Sequence, residues 1–119
     1  MTNGQKRVLR EYQAADGRVP FLEWMHSLRD RRSRAIIRNR VDRLEEGNAG
    51  HWASVGSGIY ELKIYFGPGY RVYFAPRGPV HIILLTGGDK QSQWRDIEKA
   101  RAYWADYRRR SHAGEPQLP

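Results

Sequence analysis

The residues best suited to chemistry in this 119-residue chain are cations interleaved with tyrosines. Lys63 and Tyr65 alternate in one period-2 run, Ile59 to Phe66, and Arg71 and Tyr73 in the next, Tyr70 to Ala75. Gly67-Pro68-Gly69 joins the runs. Two alternating runs linked by a short Gly/Pro turn predict a β-hairpin. Successive strand side chains point to opposite faces. One face then carries Tyr60, Leu62, Ile64 and Phe66, and the other Glu61, Lys63 and Tyr65, with Arg71 and Tyr73 from the second strand. A fold about Pro68 would set Tyr65 opposite Arg71 and Lys63 opposite Tyr73, with Lys63 diagonal to Arg71 and within its reach. Cations bind phosphate oxygens and exposed rings stack unpaired bases, which together hold single-stranded nucleic acid. The same residues also suit a solvated sheet face of cation–π and cross-strand pairs.

A second stretch, Gly87-Gly88-Asp89-Lys90-Gln91-Ser92-Gln93, precedes the last helical pattern. It lacks the order and length of a P-loop. It still sets Lys90 and the amide donor Gln93 beside a helix N-terminus, where anions are favoured. Asp89 to Gln93 also reads as ordinary capping. The four histidines, 26, 51, 81 and 112, show no ligand spacing, so no metal site is expected. The absence of cysteine excludes thiolate catalysis, zinc ribbons and disulfide scaffolds. No Gly-x-Ser-x-Gly nucleophile signature occurs.

Charge points the same way. Lys plus Arg number 21 against 13 Asp plus Glu, a net +8 at pH 7, and all but Lys6, Lys63, Lys90 and Lys99 of those cations are arginine. Arginine's planar fork pairs two-point with phosphate and carboxylate. A polyanionic partner follows, whether nucleic acid, acidic protein or anionic lipid, although a generic basic surface has the same composition. No run approaches the ~20 apolar residues that span a bilayer, and no signal-peptide apolar region is present, so a cytoplasmic protein is expected.

The elements that must position these residues follow from periodicity. Lys6 to Ala14 reads as a strand ending at the turn Asp16-Gly17. Pro20 opens a short helix with Phe21, Leu22, Met25 and Leu28 inward. Arg31 to Glu46 forms a second helix, with Ile37, Val41 and Leu44 inward, arginines elsewhere and Gly47 as C-cap. Gly47 to Gly58 reads as a loop. After the hairpin, Pro76-Arg77-Gly78-Pro79 turns the chain into the apolar strand Val80 to Leu85, which Thr86-Gly87-Gly88 ends. The last helix spans about Ser92 to Arg109, with Trp94, Ile97, Ala100, Trp104 and Tyr107 as its buried stripe. Residues 1–110 make one α+β domain: an antiparallel β-meander plus an N-terminal strand, helices on one face. Residues 111–119 make a flexible tail. The cationic face would then be free.

Tyr60-Glu61-Leu62-Lys63-Ile64, Gly67-Pro68-Gly69-Tyr70-Arg71-Val72-Tyr73-Phe74, Leu84-Leu85-Thr86-Gly87-Gly88-Asp89-Lys90 and then Asp96-Ile97 with Ala100 resemble the RelE/ParE superfamily of bacterial toxins. The match is to the addiction-module killer branch, related to HigB toxins, over about residues 5 to 108. The resemblance implies a RelE-like fold and the toxin of a type II toxin–antitoxin pair. Such toxins cut translated mRNA at the ribosome without a metal or other cofactor. Alternatives are a ParE-like DNA gyrase inhibitor and a non-catalytic homologue that only binds antitoxin. The implied partners are a helix-turn-helix antitoxin, through which operator DNA is bound, and mRNA with the ribosome. Residue by residue, Arg71 matches an arginine on the reacting phosphate, Lys63 a catalytic lysine, and Lys90 lies near the position of a catalytic arginine. Glu61 stands where those enzymes carry another lysine. It is therefore an alternative general base to Lys63, and Tyr65, Tyr73 and Gln93 are the expected RNA contacts.

Overall fold

The strands carry apolar residues on both faces, so the sheet needs cover on both sides. The computed structural model, which describes residues 6–48 and 50–114, supplies that cover. The elements are β1 (Val8–Glu11), α1 (Pro20–Ser27), α2 (Arg31–Glu45), β2 (Trp52–Gly56), β3 (Ile59–Ile64), β4 (Tyr70–Arg77), β5 (His81–Asp89) and α3 (Gln93–Gly114). They form an α+β fold around one five-stranded mixed sheet, in the order β1-β5-β4-β3-β2. β1 runs parallel to β5, and the other neighbours are antiparallel. No helix among the described residues is long and apolar enough to cross a membrane.

Leu62, Ile64, Val72, Phe74, Ile82 and Leu84 pack on Phe21 and Met25 of α1 and Ile37, Val41 and Leu44 of α2. On the opposite face, Ile59, Tyr73, Ala75, Ile83 and Leu85 pack on Ala100 and Trp104 of α3. This corrects the expectation of helices on one face. The cause lies in β5, whose apolar residues alternate to both sides and require burial on both. The cationic face is therefore partly roofed by α3.

Four local expectations are also corrected. The stretch read as a loop contains β2, closed onto β3 by a two-residue turn. Ser57 (φ 59°) and Gly58 (φ 80°) both adopt the left-handed conformation that a type I′ hairpin turn requires. β5 does not stop at Thr86. Gly87 and Gly88 pair with Val72 and Arg71 in the ladder. Their bare backbones admit a neighbour from each side: a Cβ at Gly87 would enter the Trp24 ring of α1, and one at Gly88 would collide with the Asp96 carboxylate of α3. The hairpin register is shifted, with Lys63 opposite Arg71 and Ile64 opposite Tyr70. The connection takes up Tyr65 to Gly69, with left-handed glycines at 67 and 69, instead of turning tightly at Pro68. Finally, α3 continues past Arg109 to Gly114, and the rest of the expected tail lies outside the described residues.

The far end of α3 is clamped to the chain leaving β1. The Tyr12 hydroxyl donates to Asp106 at 2.7 Å, and Arg110 Nε donates to the same carboxylate at 3.0 Å. The Tyr12 ring stacks on Tyr103 with centroids 5.0 Å apart. These hydrogen bonds, that of Tyr12 first, hold the Asp106 carboxyl below the usual carboxylate range.

Two outcomes follow. Gly88→Ala forces α3 off the sheet and lowers the urea midpoint by an amount corresponding to roughly 1–3 kcal/mol, as overpacking does. A carboxyl lowered on folding stabilises the protein above its unfolded pKa and loses that contribution as pH falls through the folded value. Asp106→Asn therefore flattens the acid limb of a thermal-midpoint-against-pH curve.

Candidate functional site

Lys63 of β3 and Arg71 of β4 are direct cross-strand partners, so their side chains leave the same face. Like charges placed opposite each other destabilise a ladder. A pair kept in that position suits an anion that bridges it. Lys90, just beyond β5, joins them through the bare backbone of Gly69. A Cβ there would lie 3.7 Å from both Arg71 Nη1 and Lys90 Cβ. The three cations and Tyr65 line one pocket of ≈ 150 Å³. On the far side of β3, Arg40 Nη1 of α2 donates to the Lys63 carbonyl at 3.3 Å.

Arg71 is held from behind. Glu61, only 1% exposed, lies between β4 and the first turn of α3. Its Oε2 accepts from the Tyr73 hydroxyl at 3.0 Å and from Gln93 Nε2 at 2.8 Å. Its Oε1 lies 3.4 Å from Arg71 Nε. That contact is an ion pair without hydrogen-bond alignment, since Arg71 Nε makes no hydrogen bond. Arg71 Nη1 donates to the Gly69 carbonyl at 3.2 Å. Burial first, and then the charge and hydrogen bond of Glu61, push the Tyr73 phenol above its ordinary value. Tyr73 therefore stays protonated and donates.

The expected site residues separate into two groups. Lys63, Arg71, Lys90 and Tyr65 converge on the pocket. Glu61, Tyr73 and Gln93 converge behind it. Tyr73 is fully buried and offers no ring face to a base. The Gln93 amide is committed to Glu61. Glu61 is sealed under α3 with its Oε2 taken up by Tyr73 and Gln93 and its Oε1 facing Arg71, so it positions Arg71 and is not placed as a general base. The sequence hides this division, because the residue that covers Glu61 comes from α3, far along the chain. One residue is misread outright: Trp94, assigned to the buried stripe by its spacing from Ile97, is exposed.

A larger hollow, ≈ 530 Å³, lies beyond the Asp89–Ser92 turn, between α1 and α3. Its walls include Glu23, Asp89 and Asp96, and its Arg18 is paired with Glu23 at 3.0 Å, so it suits an anion less well. Among the described residues no group of three or more His, Asp or Glu could hold a metal ion.

No family model matches the chain. A Haemophilus influenzae protein named "Uncharacterized protein" is 46% identical over 83 residues, which cover 70% of this chain and 84% of that protein.

Removing Arg71 leaves a buried, unpaired carboxylate. Arg71→Ala is expected to cost roughly 3 kcal/mol in urea unfolding. Adding Glu61→Gln to that variant recovers most of the loss, a coupling that a double-mutant cycle measures directly.

Proposed function

The chain belongs to the family of that Haemophilus influenzae protein, whose name assigns no chemistry, and from the site itself we propose a metal-independent endoribonuclease, the toxin of a RelE/ParE-type toxin–antitoxin pair. The observation that carries the reading is the convergence of Lys63, Arg71 and Lys90 on one small pocket with Arg71 fixed from behind. The resemblance of Gly-Pro-Gly-Tyr-Arg and Gly-Gly-Asp-Lys to the killer branch supports it, as does the five-stranded sheet that joins the two motifs through the Arg71–Gly88 pair. The RelE-like identity of the fold is part of the same proposal.

The chemistry follows from the donor set. Three cations repel a metal ion and attract a phosphodiester. RNA supplies its own nucleophile: the 2′-hydroxyl attacks the adjacent phosphorus, the bond to the 5′-oxygen breaks, and a 2′,3′-cyclic phosphate remains. Arg71 clamps the charge that develops on the non-bridging oxygens. Glu61 engages Arg71 through Nε and the Gly69 carbonyl takes one Nη1 hydrogen, which leaves Nη2 and the second Nη1 hydrogen for the phosphate. With Glu61 committed, proton transfer falls to the amines of Lys63 and Lys90. One takes the 2′-hydroxyl proton, and the other returns a proton to the 5′-oxygen. In the cell the substrate is mRNA on the ribosome. A helix-turn-helix antitoxin silences the toxin, and the arginine-rich exposed side of α2 suits an acidic segment of it.

The test uses mRNA on translating ribosomes, with the 2′,3′-cyclic ends mapped. Arg71→Lys keeps the charge but cannot both pair with Glu61 and grip the phosphate, and Lys63→Met removes one amine. Each is expected to slow cleavage about 10²-fold or more with an unchanged thermal midpoint. Wild-type cleavage rates in both variants, or growth arrest by the wild type with DNA-damage signalling and intact mRNA, overturn the proposal.

A further inference from the structure

Two acidic side chains are buried among the described residues, Glu61 and Asp96, and their surroundings differ. Glu61 meets the guanidinium of Arg71. Asp96, 7% exposed, meets no cation. Ser92 Oγ donates to its Oδ2, and among the described residues no lysine or arginine forms an ion pair with it. Lys99, one turn further along α3, is exposed and makes no such pair. A buried carboxylate without a cation is costly. Asp96 also lines the ≈ 530 Å³ hollow between α1 and α3, so a cation from outside can reach it there.

The rest of the hollow says which cation. β1 pairs with β5 only from His81 to Leu84, so Thr86 to Asp89 have no strand on that side and form the floor. Pro20, Trp24 and Leu28 of α1 and Tyr103 of α3 give apolar walls. A metal ion needs several ligands, and among the described residues no such set exists. One buried carboxylate beside apolar walls suits an ammonium on an alkyl stem. Asp89 is already engaged, its Oδ1 accepting from the amides of Gln91 at 2.9 Å and Ser92 at 3.1 Å. Glu23 is held only by Arg18, in a largely exposed pair of the kind that contributes little. It is open to exchange for a second ammonium. We propose that the hollow binds a linear aliphatic diamine or polyamine, with one ammonium on Asp96, a second at Glu23 and the methylene chain along Trp24 and Tyr103. The proposal does not rest on the ribonuclease reading, since this hollow and the cationic pocket share no lining residue. The net charge of +8 repels a cation at long range, so affinity must come from these two carboxylates.

Putrescine and spermidine are the probes, read by thermal midpoint and tryptophan emission at fixed ionic strength. Both are expected to raise the midpoint as their concentration rises, and to change an emission that Trp24→Phe removes. Butylamine, with one charged head, binds about ten-fold or more weakly than putrescine. Asp96→Asn weakens putrescine about ten-fold or more, yet leaves the ligand-free midpoint unchanged or higher, because it removes an uncompensated charge. Glu23→Gln, at an exposed position, lowers putrescine to the affinity of butylamine. Lys99→Ala, which removes a competing cation, does not weaken it. No midpoint rise with either amine at millimolar concentration overturns the proposal, as does an equal rise in Asp96→Asn or Glu23→Gln, or with Mg²⁺ in place of the amine. A ligand-free Asp96→Asn that melts below the wild type makes the carboxylate a structural group and overturns it too. Binding of Nα-acetyl-lysine amide without binding of putrescine assigns the hollow to a protein side chain and overturns the free amine as its ligand.

Discussion

The Glu61–Arg71 pair is the constraint around which the site is organised. A carboxylate 1% exposed is tolerated only where its oxygens are engaged, and here a phenol, an amide and a guanidinium meet it. Each comes from a different place in the chain: Tyr73 and Arg71 from β4, Gln93 from α3. Holding that one charge underground ties the last helix to the centre of the sheet. It also turns an arginine, ordinarily among the most mobile of side chains, into a fixed donor. The guanidinium is thus oriented before any ligand arrives, and preorganised donors stabilise developing charge more than mobile ones do.

The pocket and its support divide the cationic face into two zones. Toward Ile59, Tyr73 and Ala75 the face belongs to the core under α3. Toward Lys63 and Arg71 it opens. A residue's role on this face is set by which zone it occupies and not by its type. Two tyrosines at alternating positions, 65 and 73, end as a solvent-exposed ring and a buried hydrogen-bond donor. The same boundary separates Gln93, turned inward to Glu61, from its exposed neighbour Trp94.

Much of this was legible in local pattern. Alternation gave β3, β4 and their faces, and apolar spacing gave α1, α2 and most of α3. The grouping of Lys63 with Arg71 was foreshadowed by alternation, whereas Lys90 was joined to them only by the family resemblance. What remained hidden was set by distant partners. Whether α3 lay over the cationic face depended on β5 needing cover on both sides. The hairpin register depended on a loop whose left-handed glycines allow a wider connection than Pro68 implied. β2 is short and half exposed, so its alternation is faint, and only Ser57-Gly58 marked the turn that makes it a strand. Trp94 fits a helical stripe by spacing, but its helix starts beyond the edge of the core.

Gly88 sits opposite Arg71 in the ladder, and its missing side chain is what lets Asp96 of α3 come down onto β5. One absent methyl group therefore fixes the height of a wall beside the cationic pocket: the first turn of α3 stands where that clearance puts it, carrying Gln93 and Trp94 with it. Pocket geometry and core packing share a single coordinate at this spot, so drift in one cannot proceed without drift in the other.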